Sequence, residues 1–462
     1  MRLLGFIAEN HRSFRDEFAL EMTRNSWHTA IPRQGESWAD ACLPVAAIFG
    51  PNASGKTAVL DAMRYTLEAI RYSASRWLQY PKNPRSPFKL DEESVHSPSF
   101  FALDFTLTGG IGGPELAARE IRYHYEFSIS TKRIEHELLL GYFSSRPTRL
   151  LERDAEQGVT SWHKYLGPRI TPAPRELVLS RGYVAGHEKL QPFVGRIIAG
   201  VEFYDISDNA RRKRLDRIAA DIADERIPLN VLTTLAAVAD IGITRIDVDI
   251  HERELPPKIR KILERAAAHG NKTPRKALLG ESLSDPNFVD RTLRFYHHGN
   301  ESTDAGFLMH DESSGTLAWL AMAVPILEAL RDGTVFCVDE LDTSLHPSLA
   351  EAIVALFQDQ DTNPRGAQLI FTSHDVSLLQ PQSSAILTKE QVWFTEKDRS
   401  GASTLYNLQD FRDLKPASNL AKQYLEGRFG ALPYLLPGLM QSAVEELSHP
   451  QRGQGHGERG SA

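Results

Sequence analysis

The sequence has little cysteine, no long apolar run and no excess of positive charge. Only Cys42 and Cys337 occur in 462 residues, which excludes a disulfide framework and makes a reduced, cytoplasmic setting the expectation. No window approaches the roughly 18 uninterrupted apolar residues of a membrane span, and the N-terminus lacks the apolar core of a signal peptide, so no membrane partner is expected. The net charge of -7 argues against a broadly basic nucleic-acid binder, although it allows a local basic patch.

The composition is otherwise that of a soluble globular protein, with 41% hydrophobic and 24% charged residues. We find no repeat of fixed period and no sustained heptads that would build long coiled-coil arms. The length allows more than one domain. Local motifs therefore carry most of the information about function.

The clearest motif lies at residues 50–57, where an apolar run over residues 45–49 leads into GPNASGKT. This octet fits G-x-x-x-x-G-K-T, the phosphate-binding P-loop. Its two glycines allow a tight turn, so that successive backbone N–H groups converge on a phosphate at the start of a helix. We expect Lys56 to reach the β- and γ-phosphates and the Thr57 hydroxyl to bind Mg²⁺. The residues expected around the phosphates are Gly50, Pro51, Asn52, Ala53, Ser54, Gly55, Lys56, Thr57 and Ala58.

A second acidic motif follows an apolar strand pattern at residues 334–340, TVFCVDE. This is a Walker B pattern, in which Asp339 holds Mg²⁺ directly or through water. Glu340 would then orient the attacking water or accept a proton from it. The alternative is an ordinary acidic cap on a strand, and the P-loop earlier in the chain favours the Walker B interpretation.

Two further candidates lie on either side of Walker B. Ser313 and Gly315, in the stretch DESSGT, precede an apolar helix and could bind a phosphate at its N-terminus, or Ser313 could simply cap the helix. His374 follows the strand predicted over residues 368–372 and could hydrogen-bond the γ-phosphate and sense its loss. The alternative for His374 is a helix-capping role.

Basic residues cluster in one predicted helix, over residues 209–225. They are Arg211, Arg212, Lys213, Arg214 and Arg217. Such a cluster is usually a solvated helix face. The functional alternative is a contact with the phosphate backbone of a nucleic acid. Asp247 and Asp249 form a D-x-D on a strand predicted over residues 243–250, and we expect them to face solvent.

The remaining patterns predict a mixed α/β chain. Strands are expected at residues 3–9, 16–22, 45–49, 100–107, 121–129, 132–140, 243–250, 293–297, 335–338, 368–372, 392–396 and 403–408. Helices are expected at residues 57–76, 188–199, 209–225, 230–240, 255–279, 317–330 and 348–358. The strands over residues 100–140 should form an antiparallel sheet, and residues after 441 should be disordered.

The order of these motifs resembles the ABC-type ATPase heads of the RecF/SMC/OLD superfamily. More narrowly, it is similar to a bacterial AAA-type family that includes ATPases of abortive-infection phage-defence systems. Residues 10–14, NHRSF, resemble the N-F-R-S-F opening of that superfamily, residues 313–315 resemble the ABC signature, residues 344–347 its D-loop and His374 its switch histidine. No glutamine can be assigned to a Q-loop, because Gln79 is the only one between Asn52 and Gln157.

The resemblance implies a P-loop NTPase fold, with a mixed sheet, an antiparallel β subdomain and a mostly helical insertion. It places an N-terminal ATPase lobe at residues 1–145, the insertion at 146–300, a C-terminal ATPase lobe at 301–437 and a tail at 438–462. It implies ATP and Mg²⁺ as ligands, nucleotide contacts by Arg12 and Ser13, and closure of Ser313 and Gly315 over the nucleotide of a second copy. A homodimer or higher homo-oligomer, and a separate effector protein, are the expected partners.

Three functions compete at this stage. The favoured one is an ATP-hydrolysing switch in phage defence or DNA maintenance, with Lys56, Glu340 and His374 as the catalytic residues. A RecF-like DNA-binding repair ATPase would use the basic helix over residues 209–225 for DNA. An OLD-type nuclease would need a second acidic cluster after the ATPase region. Asp247 and Asp249 form a D-x-D, but they lie inside the insertion.

Overall fold

The computed structural model describes residues 1–240, 242–253, 288–298, 306–343, 345–381, 383, 386–412 and 419–432, together with 438, 441, 442, 444 and 445. The predicted helix over residues 255–279 lies outside these residues. Nearly all of the predicted disordered tail after residue 441 does so as well.

The strands begin and end close to the predicted positions. They are β1 Arg2–Glu9, β2 Phe18–Glu21, β3 Val45–Phe49, β4 Ser99–Thr108, β5 Glu120–Ile129, β6 Ile134–Tyr142, β7 Thr148–Asp154, β8 Gly158–Trp162, β9 Val201–Tyr204, β10 Ile243–Arg253, β11 Phe288–His297, β12 Phe307–Leu308, β13 Val335–Val338, β14 Gln368–Ser373, β15 Val392–Lys397 and β16 Ser403–Asn407. The sequence did not predict β7, β8, β9 and β12, because the first two are rich in charged and polar residues and the other two are short.

The helices match the predicted apolar periodicities where those are long. They are α1 Trp38–Ala41, α2 Lys56–Tyr72, α3 Glu92–His96, α4 Val178–Val184, α5 Leu190–Ala199, α6 Asp208–Ala223, α7 Leu229–Ala239, α8 Ser314–Asp332, α9 Pro347–Gln358 and α10 Leu420–Leu425. Among the described helices, none is both long enough and apolar enough to cross a membrane.

Seven strands form an antiparallel sheet in the order β2-β1-β4-β5-β6-β7-β8. Strand β5 alternates strictly between buried and half-buried positions, with Tyr123, Tyr125 and Phe127 on the inner face. The predicted antiparallel subdomain is thereby confirmed. The sheet continues through β7 and β8, so the predicted boundary at residue 145 falls between two strands of one sheet.

Six strands form the mixed sheet that carries the P-loop, in the order β16-β15-β3-β14-β13-β9. Strands β15, β3, β14, β13 and β9 are parallel, and β16 pairs antiparallel with β15. Strands β3, β13 and β14 are buried throughout, which is typical of parallel strands covered on both faces. The carboxyl ends of these three neighbours lie at one edge and bring the P-loop, Asp339 and His374 together.

Two cores cover the two faces of this mixed sheet. Ala47, Phe336 and Phe371 point into a core shared with helices α6 to α9 and with strands β10 and β11. Ala46, Cys337 and Ile370 point into the other core, which holds α2, α5 and the antiparallel sheet. The alternation of neighbouring residues between the cores follows from the two-residue period of a strand. The predicted mixed α/β fold class is confirmed.

Strands β10, β11 and β12 form a separate antiparallel sheet. Its buried residues Ile246, Leu293 and Phe295 pack in the same core as Leu215 of α6 and Trp319 of α8. This small sheet is therefore part of the layer that supports helix α8.

Candidate nucleotide-binding site

The P-loop takes backbone conformations that suit a phosphate cradle. Gly50, Ala53 and Gly55 have φ values of +152°, +61° and +119°, and α2 begins at Lys56, directly after Gly55. A Cβ atom on Gly50 would lie 2.5 Å from the carbonyl oxygen of Thr395, so no larger residue fits there. The loop therefore meets the first requirement of the predicted motif.

The hairpin formed by β15 and β16 supports this loop, because β15 lies beside β3 in the mixed sheet. The hydroxyls of Ser54 and Thr395 lie 2.5 Å apart, and both side chains are buried. A Cβ atom on Gly55 would lie 2.8 Å from the Ser403 hydroxyl. No motif in the sequence marks Thr395 or Ser403, since only the order of strands in the sheet places β15 beside β3.

Lys56 is buried, and its ammonium group points back into the loop. Its Nζ donates hydrogen bonds to the carbonyl oxygens of Gly50, at 2.8 Å, and Pro51, at 3.1 Å. Burial lowers the pKa of Lys56, and the carboxylates of Asp339, Glu340 and Asp342 act in the opposite direction. A phosphate in the loop would offer this ammonium a stronger, charge-assisted partner than two carbonyl groups.

The two Walker B carboxylates are held by hydroxyl groups at the ends of β13 and β14. Thr372 donates from its Oγ1 to Asp339 Oδ1 at 2.6 Å and accepts from the Glu340 amide at 2.7 Å. Glu340 has a φ of +56°, a strained value for a residue with a side chain, and its Oε2 accepts from the Thr343 hydroxyl at 3.0 Å. Strand, turn and threonine thus orient both carboxylates at the edge that carries the P-loop.

His374 lies at the same edge, exposed at the end of β14. Its backbone amide donates to Asp342 Oδ1 at 3.3 Å. A cavity of about 640 Å³ lies between His374, the P-loop and the C-terminal segment. Its walls are formed by residues 49–54, 373, 374, 376, 396–399, 424, 425 and 432.

The predicted signature residues lie at an exposed helix start, outside the lining of this cavity. Ser313 caps α8, and its hydroxyl accepts from the Thr316 amide at 3.0 Å. Ser313 and Ser314 are exposed, and Gly315 is half-buried. The capping role and a phosphate-binding role are compatible, because a capping hydroxyl leaves its own hydrogen and the first free amides of the helix accessible.

Arg12 and Ser13 lie beside the P-loop but contact protein groups. Two nitrogens of the Arg12 guanidinium donate to the carboxylate of Asp61 on α2, and His11 Nε2 lies 2.7 Å from the same carboxylate. Burial raises the pKa of Asp61, but the hydrogen bonds from His11 and Arg12 outweigh it and hold that pKa below its usual range. The Ser13 carbonyl accepts from the Ser403 amide at 2.7 Å.

A scan against known protein families matches residues 45–380 to the family described as "AAA domain, putative AbiEii toxin, Type IV TA system". The match spans more than half of the 462 residues and contains the P-loop, Ser313, Walker B and His374. The chain belongs to this AAA family. The resemblance stated from the motifs is thereby confirmed.

A search of solved structures found matches at low sequence identity. One is the SMC head domain from Thermotoga maritima, at 13% identity and a TM-score of 0.39, over 88% of this chain and 99% of that one. Another is the recombination mediator protein RecF with ATP, at 13% identity and a TM-score of 0.31, over 81% of this chain and 94% of that one. A search of curated proteins found no match.

The donor set of this AAA protein suits a Mg²⁺ ion that arrives with a nucleotide. In the described part of the chain, no group of three or more His, Cys, Asp or Glu side chains could hold a metal. The Thr57 hydroxyl is exposed at the start of α2, and Asp339 stands at the edge of the same sheet. Such a sparse set fits Mg²⁺, which keeps several waters and takes further ligands from phosphates.

The other acidic and basic candidates of the AAA protein are mostly paired with protein groups. Asp249 pairs with Arg294 of β11, and Asp247 pairs with Arg245 at 3.3 Å. The Asp247 side chain retains 37% exposure, so this carboxylate of the D-x-D is both paired and open to solvent. In helix α6, Arg211 binds Asp208 and Arg217 binds Asp221, while Arg214 stacks on Tyr204. Arg212 and Lys213 of the same helix are exposed.

Proposed function

We propose that this protein binds and hydrolyses ATP as an ABC-type ATPase head, and that ATP joins two such heads. The observation that carries this proposal is the convergence of the P-loop, Asp339, Glu340 and His374 at one edge of three adjacent parallel strands. Each group has a chemical task in phosphoanhydride hydrolysis, and no task is duplicated.

Lys56 and the loop amides would bind the β- and γ-phosphates. When a phosphate enters, Lys56 exchanges the carbonyls of Gly50 and Pro51 for phosphate oxygens. The positive φ values at Gly50, Ala53 and Gly55 turn the backbone so that its N–H groups can face the ligand. Residues 50–58 would thus form the phosphate-binding segment, and Arg12 and Ser13 would border it.

Thr57 and Asp339 would hold the Mg²⁺ ion. When bound, the ion neutralises charge on the phosphates and aligns their oxygens. Thr372 keeps Asp339 oriented toward the sheet edge through its 2.6 Å hydrogen bond.

Glu340 is the group we assign to the attacking water. Its strained backbone and its bond to Thr343 present a carboxylate oxygen beside the P-loop edge, where it can orient the water and take up its proton. His374, exposed at the next strand end, would hydrogen-bond the γ-phosphate and respond to its release.

Ser313 and Gly315 would act on the nucleotide of a second copy. Ser313 is exposed at the start of α8, where a second copy can reach it, and this exposure supports the assignment. ATP would then lie between two heads, and hydrolysis would release them. The family description, with its reference to an AbiEii toxin and a type IV TA system, supports a role in abortive infection. Control of a separate effector, or a role in DNA maintenance, would follow from the resemblance of the motifs to the ATPase heads.

A RecF-like DNA-binding function is the second candidate. The exposed Arg212 and Lys213 favour it, whereas the pairing of Arg211, Arg214 and Arg217 and the net charge of -7 weigh against it. An OLD-type nuclease has less support, because Asp247 and Asp249 are engaged with arginines. Cleavage of plasmid DNA by the pure protein would revive it.

Two substitutions separate binding from hydrolysis. Lys56→Ala should weaken ATP binding, while Glu340→Gln should bind ATP with wild-type affinity and lose at least about 100-fold in turnover, as expected for loss of a general base. Glu17→Gln, an exposed carboxylate before β2, is the control and should behave as wild type. Turnover of ATP by Glu340→Gln at the wild-type rate would show that our assignment of the catalytic carboxylate is wrong.

A further inference from the structure

The residue directly before Ser313 is Glu312, whose buried carboxylate is bonded to the imidazole of His297. The Glu312 side chain is 4% exposed, and its Oε1 lies 2.8 Å from Nε2 of His297. His297 is the last residue of β11 and retains 26% exposure. A buried carboxylate is costly unless it is paired, so this bond constrains where the start of α8 can lie.

The turn between β12 and α8 is attached to β11 at its other end as well. Strand β12 pairs with β11 through Phe295 and Phe307, and the Phe307 ring meets the His297 ring edge-on at 5.2 Å. The Leu308 amide donates to Asp311 Oδ2 at 3.0 Å, which closes the turn. The segment over residues 307–312, which leads to Ser313, is therefore bound to β11 at both ends. Phe307 makes the contact at one end and Glu312 at the other.

Strand β11 itself rests on a rigid support. Leu293 and Phe295 are fully buried in the core that also contains Trp319 of α8. Trp319 in turn donates from its indole N–H to the Leu235 carbonyl of α7 at 2.6 Å. The position of His297 is thus fixed relative to the body of helix α8, while Ser313 at the tip of that helix is exposed.

We propose that His297 is a positioning residue for the signature. Through Glu312 it holds the Ser313 hydroxyl and the Gly315 amide in the orientation in which they meet the nucleotide of a second copy. This positioning role rests on the proposed function. It adds that strand β11, which carries His297, determines whether the signature can bind the nucleotide of a second copy. His297 touches neither the P-loop cavity of its own chain nor the Walker B carboxylates.

The test is complementation between two inactive proteins. His297→Ala should bind ATP with wild-type affinity and lose at least about tenfold in hydrolysis, because its own P-loop is intact and only its signature is displaced. Mixed with Lys56→Ala, whose signature is intact, it should regain activity. Each mixed dimer has one complete site, formed by the P-loop of His297→Ala and the signature of Lys56→Ala. The mixture should therefore hydrolyse ATP faster than the sum of the two proteins measured alone, up to about one quarter of the wild-type rate if unlike copies pair as often as like ones.

Three companion variants make the result specific. Ser313→Ala mixed with Lys56→Ala tests whether the signature acts in trans at all. His297→Gln keeps an N–H donor near the position of Nε2 and should recover most of the activity without mixing. His124→Ala removes a similar bond, 2.9 Å from His124 Nε2 to Glu126 on the antiparallel sheet, and should be as active as wild type.

Each outcome decides the proposal. Complementation by both His297→Ala and Ser313→Ala supports it. Complementation by Ser313→Ala alone leaves the trans mechanism standing and overturns the role of His297, as would wild-type activity of His297→Ala. Loss of ATP binding in His297→Ala would mean a general structural role and would also overturn it. Failure of Ser313→Ala to complement would remove the trans signature and the positioning role with it.

Discussion

The residues that we assign to phosphate and Mg²⁺ binding are held by hydroxyl groups from distant parts of the chain. Thr395 contacts Ser54 from 341 positions away, and Thr372 orients Asp339 from 33 positions away. These hydroxyls carry no charge and occur in strands that look like ordinary core. They determine the orientation of the P-loop and Walker B side chains before any ligand arrives, which is the condition for efficient electrostatic stabilisation.

Substituting Thr395 tests this support directly. Thr395→Val removes the hydroxyl bonded to Ser54 at nearly constant volume, and we expect ATP affinity to fall about three- to tenfold, the value of one hydrogen bond. Isothermal titration of both proteins with ATP measures the effect. Thr106→Val, which removes a 2.5 Å bond to Glu120 on the antiparallel sheet, should leave the affinity unchanged. Equal affinities for wild type and Thr395→Val would contradict the role of the hairpin.

Site residues that belong to a motif of fixed spacing can be recognised in the sequence. Site residues outside such motifs cannot. Residues 50–57, Asp339 and Glu340 belong to motifs whose spacing is dictated by one turn and one strand end, so they can be found without a structure. Thr372 and Thr395 depend on which strands are neighbours. Asp61 likewise gave no signal, although it binds both His11 and Arg12.

At the scale of elements, a buried glutamate joins the antiparallel sheet to helix α4. Glu137 of β6 is fully buried and accepts from the Tyr125 hydroxyl at 2.9 Å and from the amides of Val178 and Leu179 at 2.8 and 3.3 Å. It thereby caps α4 from a different element. Such long-range caps are invisible to the local capping patterns that a sequence displays.

This cap should give the protein a specific pH dependence. Burial raises the pKa of Glu137, which means that the folded state favours the protonated carboxyl. Its contribution to stability is therefore complete below the unfolded value near 4.5 and is lost as the pH rises toward the raised folded value. Glu137→Gln cannot titrate. The stability advantage of wild type over Glu137→Gln should accordingly shrink as the pH rises above about 4.5, and it should be smaller at pH 8 than at pH 5.

Urea unfolding of the two proteins at both pH values measures this difference. Comparing wild type with Glu137→Gln cancels the titration of all other groups that the substitution leaves undisturbed. A difference that stays constant, or that widens toward pH 8, would contradict the assignment of Glu137 as a carboxyl with a raised pKa.

For the whole molecule, the prediction of element type was easier than the prediction of arrangement. Strands 45–49 and 335–338 and the hairpin after residue 392 were predicted nearly to the residue, because their apolar patterns are strong. The order β16-β15-β3-β14-β13-β9 has no such local signal. It arises from the burial of both faces of the sheet in two cores, to which segments from the whole chain contribute.

The joining of two heads by ATP is the central step of the proposed function. The most direct measurement is the mass of Glu340→Gln by light scattering, with and without Mg-ATP, beside Lys56→Ala as the protein that should not respond. We predict that ATP doubles the mass of Glu340→Gln from that of one chain of 51.7 kDa, because bound and unhydrolysed nucleotide keeps the heads together. A mass that saturating ATP leaves unchanged, whether of one chain or of a standing oligomer, would contradict the role of ATP in joining the heads.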